Sequence, residues 1–268
     1  MDTVRTDFQN VIVEHDESVV TLTMNRPEML NAINTLMLEE LTEAVEAAAQ
    51  NDAIRCVVLA GAGRAFGAGQ DLTEFASAHA GSQTLEVAEH LAKYHRLILA
   101  IRHMPKPVIA AIQGIATGIS LNIALACDVR IAADNARLLE AFARIGLVPD
   151  GGGGYTLPRL IGLGRALEMA LLADEVSGPE AERIGLVNRC VPLVEFEETT
   201  RALAKRLTTG PTCTYGLIKE LMYKSLDMDL QATLHLEGQL QEAAYATADH
   251  REAVDAFLHK RAAKFTGI

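Results

Sequence analysis

Three glycine-bearing segments carry residues whose types and spacing suit chemistry on a developing anion. In GRAFGAGQDL, residues 63–72, Gly67 and Gly69 flank Ala68, so the backbone there can turn sharply and aim an amide outward. Such an amide is an anion or oxyanion donor, and an ordinary glycine turn is the competing reading. The pattern is not GxGxxG opening a helix, which argues against a dinucleotide site. In GIATGISLNIALACD, residues 114–128, a strand ends, Gly118 permits a tight turn, and a helix begins near Ser120. Free amides at a helix start carry partial positive charge, so the Ile119 amide is a second candidate donor; a capped, buried helix is the alternative. In RIGLVPDGGGGYTLPRL, residues 144–160, Asp150 follows Pro149 and precedes four glycines. A carboxylate buried among apolar groups gains a raised pKa and acts as a base near neutrality, whereas a turn aspartate caps the next helix.

The surrounding pattern supplies the elements that hold these segments. Residues 8–24 read as two strands around an Asp16-Glu17-Ser18 turn. Asn34 is placed to cap a helix running to Gln50, with Met37, Leu41, Ala44, Val45 and Ala48 on one face. CVVLAG at 56–61 is a strand, and Leu85 to His103 an amphipathic helix stopped by Pro105 and Pro107. VIAAIQG at 108–114 is a buried strand, Ser120 to Cys127 a helix, and VRIAA at 129–133 another strand. The strand–strand–helix rhythm suggests an α/β fold of stacked ββα turns rather than one doubly wound sheet. From about Gly162 the chain turns helical, with breaks at Ser177-Gly178-Pro179 and Val191-Pro192. A core over 1–199 and a helical region over 200–268 follow, and without a low-complexity linker the tail should pack on something.

Composition narrows the function. With 268 residues and 49% apolar content, a sizeable core is available. A net charge of −11 argues against a nucleic-acid face, so an anionic ligand must be met by local basic groups or backbone donors. Cys56, Cys127, Cys190 and Cys213 show no metal-ligand or CxxC spacing and read as buried thiols in a reducing compartment. The N-terminus lacks a signal-peptide core, and Val108 to Cys127 is too polar for a lipid-facing helix, so a cytoplasmic protein without membrane contact is expected.

Taken together, these segments with NRPEMLNAIN (25–34), KPVIAAIQG (106–114), ACDVRIAA (126–133), AERIGLV (181–187) and REAVDAFLHKR (251–261) resemble the crotonase (enoyl-CoA hydratase/isomerase) superfamily over nearly the whole chain. The resemblance implies a spiral of ββα turns with a C-terminal helical trimerisation region, a homotrimer or dimer of trimers, and a coenzyme A thioester as substrate, with no metal or redox cofactor. It places the oxyanion donors on the amides of Ala68 and Ile119, and residues 68–71 (Ala68, Gly69, Gln70, Asp71) along the pantetheine and thioester. Asp71 reads rather as a structural cap of that loop. Phe257 and Lys260, one turn apart on the last helix, would reach a neighbouring subunit's coenzyme A, and Arg26 would approach the nucleotide. The alternative for the pair is a core Phe beside a solvated Lys.

The acids decide the reaction. By register, the two glutamates of the family's hydratases fall on Asn122 and Phe142, neither of which can exchange a proton as a base. Asp150 falls where Δ3,Δ2-enoyl-CoA isomerases and ring-epoxide isomerases of phenylacetyl-CoA breakdown carry their acid. One carboxylate suffices for a 1,3-proton shift, so an isomerase is the leading expectation. A hydratase with an atypical acid set, using Asp150 or Glu140, and a catalytically idle acyl-CoA-binding paralogue are the alternatives. Glu140 lies off the family position and reads as structural. His79, His90, His95 and His103 match no catalytic position and are expected on surfaces or helix faces.

Overall fold

A computed structural model of the protein describes residues 4–74 and 87–268. His79 and the first residues of the helix expected from Leu85 lie outside them. The N-terminal hairpin pairs β1 (Val11–Asp16) with β2 (Val19–Met24), and its turn places Glu17 at φ 53°. On β2 burial alternates residue by residue, as a strand with one face on the core requires. Helix α1 (Thr35–Gln50) starts where Asn34 accepts from the Met37 amide at 2.8 Å, and buries the five residues of its predicted apolar face.

Two sheets then grow together. β3 (Cys56–Gly61), β5 (Val108–Ile112), β7 (Val129–Ala133) and β10 (Arg189–Val191) extend the hairpin into a six-stranded sheet in the order β1-β2-β3-β5-β7-β10. β4 (Ala65–Gly67), β6 (Ile115–Thr117), β8 (Arg137–Leu139) and β9 (Val176–Ser177) form a four-stranded sheet in the order β4-β6-β8-β9. Each turn of the spiral thus gives one strand to each sheet, and α2 (Val87–His103) and α3 (Ile119–Ala126) close two of the turns. VIAAIQG is therefore shorter than expected: the strand ends at Ile112, and Gly114 begins the step into the second sheet. Every residue of α3 is buried, which explains its nearly continuous apolar sequence.

The rest is helical: α4 (Gly153–Ile161), α5 (Leu163–Leu172), α6 (Gly178–Ile184), α7 (Leu193–Thr208), α8 (Thr212–Ser225), α9 (Leu230–Tyr245) and α10 (Ala248–Leu258). The tail does pack on the core. Lys219 of α8 ion-pairs with Asp128 at 2.7 Å and donates to the Lys106 carbonyl at 2.8 Å. Arg55, at the start of β3, bonds Thr212 and the Gly210 and Phe265 carbonyls. The sequence expectation for the thiols holds for Cys56 and Cys127 only; Cys190 is half-buried and Cys213 exposed, because the latter sits in the first turn of the outer helix α8. No helix among the described residues is long and apolar enough to cross a membrane.

Candidate active site

The first glycine loop and the start of α3 are fastened to each other. The Gly69 amide donates to Ser120 Oγ at 3.1 Å. Gly67 lies so close to the same side chain that an added Cβ would meet Ser120 Oγ at 2.5 Å. Ile119 opens α3, where the first amides have no intrahelical acceptor. Its position is set by Gly118, whose φ of 52° and ψ of −127° lie where an L side chain is strained.

The loop's amides are not equally available. Ala68 N–H donates to the Leu30 carbonyl at 2.9 Å, and Asp71 N–H to the Ile33 carbonyl at 2.9 Å. With Gly69 bound to Ser120, the Gln70 amide alone of residues 68–71 has no acceptor among the described residues. The expectation that Ala68 supplies the oxyanion donor is therefore corrected: that N–H is already consumed by the turn after Pro27–Met29, and the free donor lies two residues on. The Gln70 side chain is fixed as well, its Oε1 accepting from Tyr94 Oη and lying 3.3 Å from His90 Nε2.

The Asp150 loop closes over this pair. A Cβ on Gly151, at φ 54°, would sit 2.3 Å from Ile119 Cδ1, and one on Gly153 would sit 2.6 Å from Asn122 Nδ2. Asn122 Nδ2 donates to the Asp150 carbonyl at 2.9 Å, tying the loop to α3. Asp150 does not cap α4: the cap is Gly152 and no side chain serves it. Asp150 Oδ1 is instead buried without a partner, and burial raises its pKa to about 6. Its charge also pushes up the ionisation of buried Tyr94, after burial itself, and of Glu140. Tyr94 holds Gln70 and Glu140 neighbours Asn122, so the Asp150 charge bears on groups tied to the first glycine loop and to α3. Phe142 is buried, and an added Cβ at Gly118 would touch its ring at 3.7 Å.

The remaining expected site residues separate. Arg26, expected near a nucleotide, turns inward to the Ala32 carbonyl at 2.7 Å and Asp71 Oδ2 at 2.9 Å, and is a fastener of the loop. Asp71 also accepts from the Thr73 amide and hydroxyl; these bonds, with Arg26, hold its carboxyl below the usual range. Lys260 is not on the last helix. It follows the end of α10 at φ 53°, where the Lys260 and Arg261 amides return to the Phe257 and Ala256 carbonyls in a Schellman closure. Phe257 is 83% exposed, so it is no core residue of this protomer. Of the histidines expected on surfaces or helix faces, His90 is partly buried against Tyr94 and touches Gln70. Sequence reasoning missed Tyr94, Ser120 and the Gln70 amide. Among the described residues no cluster of three or more potential ligands could hold a metal ion.

A two-sheeted spiral whose first glycine loop is fastened to the start of α3, with a partly buried carboxyl on the loop tied to the same helix, defines the class of protein. The comparisons make this specific: residues 14–267 match the enoyl-CoA hydratase/isomerase family model, and the chain belongs to that family. It is 42% identical over 260 residues to a probable enoyl-CoA hydratase of Rhodobacter capsulatus, covering 97% of this chain and 99% of that one. It is 39% identical over 257 residues to the 1,2-epoxyphenylacetyl-CoA isomerase of Escherichia coli, covering 96% and 98%. The crystal structure of an enoyl-CoA hydratase from Bacillus anthracis superposes with a TM-score of 0.91 at 34% identity, covering 97% of this chain and 100% of that one. The ββα spiral expected from the sequence is the fold these structures share.

Proposed function

We propose that the protein is an acyl-CoA isomerase in which Asp150 carries the proton and the Gln70 and Ile119 amides hold the thioester oxygen. The observation that carries this reading is the partly buried Asp150 carboxyl, whose Oδ1 is enclosed without a partner and whose pKa is raised to about 6, while Asn122 and Phe142 stand at the positions where the family resemblance puts the acids of hydratases. The reading follows from proton bookkeeping. The ionised carboxylate takes a C2 proton from a 3-enoyl thioester. The C–H electrons move through C2 onto the thioester oxygen, where the two amides meet the new charge. Asp150 then returns the proton at C4 as the electrons flow back, leaving the double bond between C2 and C3. A single carboxylate serves both transfers, and water is neither consumed nor released. Each backbone donor aimed at such an oxygen is worth about 3 kcal/mol of barrier.

Residues 68–71 would line the thioester and pantetheine, and exposed Phe257 with Lys260 would meet a coenzyme A across a subunit boundary in a homotrimer or dimer of trimers. Conversion of a 3-enoyl-CoA to the conjugated 2-enoyl-CoA by wild type and D150N tests the assignment; undiminished turnover in D150N removes it. The neighbouring Glu140 favours a second reading, hydration with an atypical acid pair. Rapid loss of crotonyl-CoA that depends on Asp150 or Glu140 would support that one instead.

A further inference from the structure

Glu140 is fully buried, and neither of its carboxyl oxygens has a hydrogen-bond partner. It stands between β8 and the 3₁₀ turn Ala141–Ile145, at the turn's cap position, yet its side chain caps nothing. The Asn122 side chain is near enough to bear on its carboxyl. Asn122 is also fully buried, and its Oδ1 also lacks a donor, although its Nδ2 is committed to the Asp150 carbonyl. Both residues thus leave enclosed acceptors without a donor, and no polar group this deeply buried is left so without cost. One proton resolves both gaps. If Glu140 is a neutral acid, its O–H donates to Asn122 Oδ1, and the amide is held at both ends.

We propose that Glu140 is a positioning residue that acts as a protonated acid, donating to Asn122 Oδ1 and thereby locking the Asn122 amide, and through it the Asp150 loop, against the start of α3. The surroundings agree. Among the described residues the charged group that bears on Glu140 is Asp150, of the same sign; burial first and Asp150 last raise its pKa to about 8, against a lowering by the Asn122 side chain that burial outweighs. From α2, Tyr94 faces Asp150 and is neutral. From the 3₁₀ turn and α4, Phe142 and Gly153 bring no charge. The orientation matters because Asn122 Nδ2 is the side-chain bond that ties the Asp150 loop to α3. With Glu140 ionised, the amide would be drawn to turn its NH₂ toward the new anion and release the Asp150 carbonyl.

The effect on turnover rests on the isomerase reading, but the proton on Glu140 does not, and the two are measured separately. Infrared titration of the full chain reads the protonated-carboxyl C=O band directly. A band present at pH 7, lost as pH rises through about 8, and missing in E140Q is the expected result; no difference between wild type and E140Q overturns the proposal. The band is read without substrate, so it decides the matter whatever D150N does. Turnover of a 3-enoyl-CoA supplies the second readout. Gln can still donate to Asn122 Oδ1 and Leu cannot, so kcat should fall about 3-fold in E140Q and about 30-fold in E140L, with KM little changed. Wild-type kcat should decline above about pH 8, and E140Q should lack that limb. Equal losses in E140Q and E140L, or an alkaline limb that survives E140Q, would overturn the positioning role.

Discussion

Two buried polar clusters lie on opposite ends of α3, and they differ in how they are finished. At its C-terminal end, Asp128 Oδ2 accepts from the Val108 amide at 2.7 Å and from Lys219 at 2.7 Å, while Oδ1 accepts from Tyr223 Oη at 2.5 Å. Arg102 lies 3.4 Å over the Tyr223 ring. Both Asp128 oxygens have partners, and the bonds from Lys219 and Tyr223 cross from helix α8 to the spiral core. At the N-terminal end, Asp150 Oδ1, both Glu140 oxygens, Asn122 Oδ1 and Gln70 Nε2 have none. The same element thus carries a completed polar clasp and an unfinished one. A completed cluster is worth most to stability when intact. An unfinished one costs stability in the free protein, and such costs gather where a ligand is to supply the missing partners.

The contrast breaks down if the two clusters respond alike to substitution. The largest effect is expected at Asp150. D150N should lower isomerase kcat by about 10³-fold, the scale of a lost general base, while raising the melting temperature, since an unpaired buried charge disappears. The opposite signature is expected from K219M. Leaving Asp128 without its cation in a partly buried site should cost about 3 kcal/mol of stability, read as a shift of the urea midpoint, with kcat per folded molecule unchanged. If K219M instead abolished turnover without destabilising the chain, the division between clasp and site would fail.

Much of this arrangement is legible in the sequence, for reasons tied to particular residues. α1 and the β1–β2 hairpin are written locally: Asn34 caps three residues ahead, and burial on β2 alternates as its residue types do. The Asp150 loop is visible because a carboxylate before four glycines is unusual chemistry in any context. What escapes is decided by partners distant in the chain. Which amide of residues 68–71 stays free depends on Leu30, Ile33 and Ser120, and nothing within GRAFGAGQDL distinguishes Ala68 from Gln70. Arg26 reads as a ligand-facing cation until Asp71 is found beside it. Lys260 continues a helical pattern in sequence, yet adopts a left-handed closure that usually falls to glycine. Glu140 reads in the sequence as a structural acid, and only the fold shows that it is fully enclosed.

A smaller effect sharpens the geometry of the donor pair. G118A places a side chain at φ 52°, with only van der Waals contact to Phe142 to accommodate. The strain of about 1–2 kcal/mol should be relieved by rotating the Ile119 amide away from its aim. We expect kcat to fall about 10-fold with KM nearly constant, because a donor that strengthens only as charge develops is felt in the transition state. A proportional rise in KM at constant kcat would mean that Ile119 holds ground-state substrate and not the enolate oxygen.

The gentlest test uses pH alone. Burial lifts Asp150 from 3.8 to about 6 and Glu140 from 4.5 to about 8, so both acids hold protons in the folded chain that the unfolded chain has released. Where the native state binds more protons than the unfolded state, stability falls as pH rises. Both groups act in that direction between pH 4.5 and about 6, and Glu140 alone between about 6 and 8; beyond that its contribution is flat. Folding free energy from urea titrations should therefore decline toward pH 8, by at most about 1.4 kcal/mol per pH unit from Glu140. E140Q should flatten the curve from about pH 6 to 8, and D150N should flatten it only below about pH 6, so the two acids can be told apart by where each variant removes the slope. A wild-type curve that is already level from pH 6 to 8 would mean that the enclosed end of the site is as well compensated as the clasp, and the contrast between the two ends of α3 would disappear.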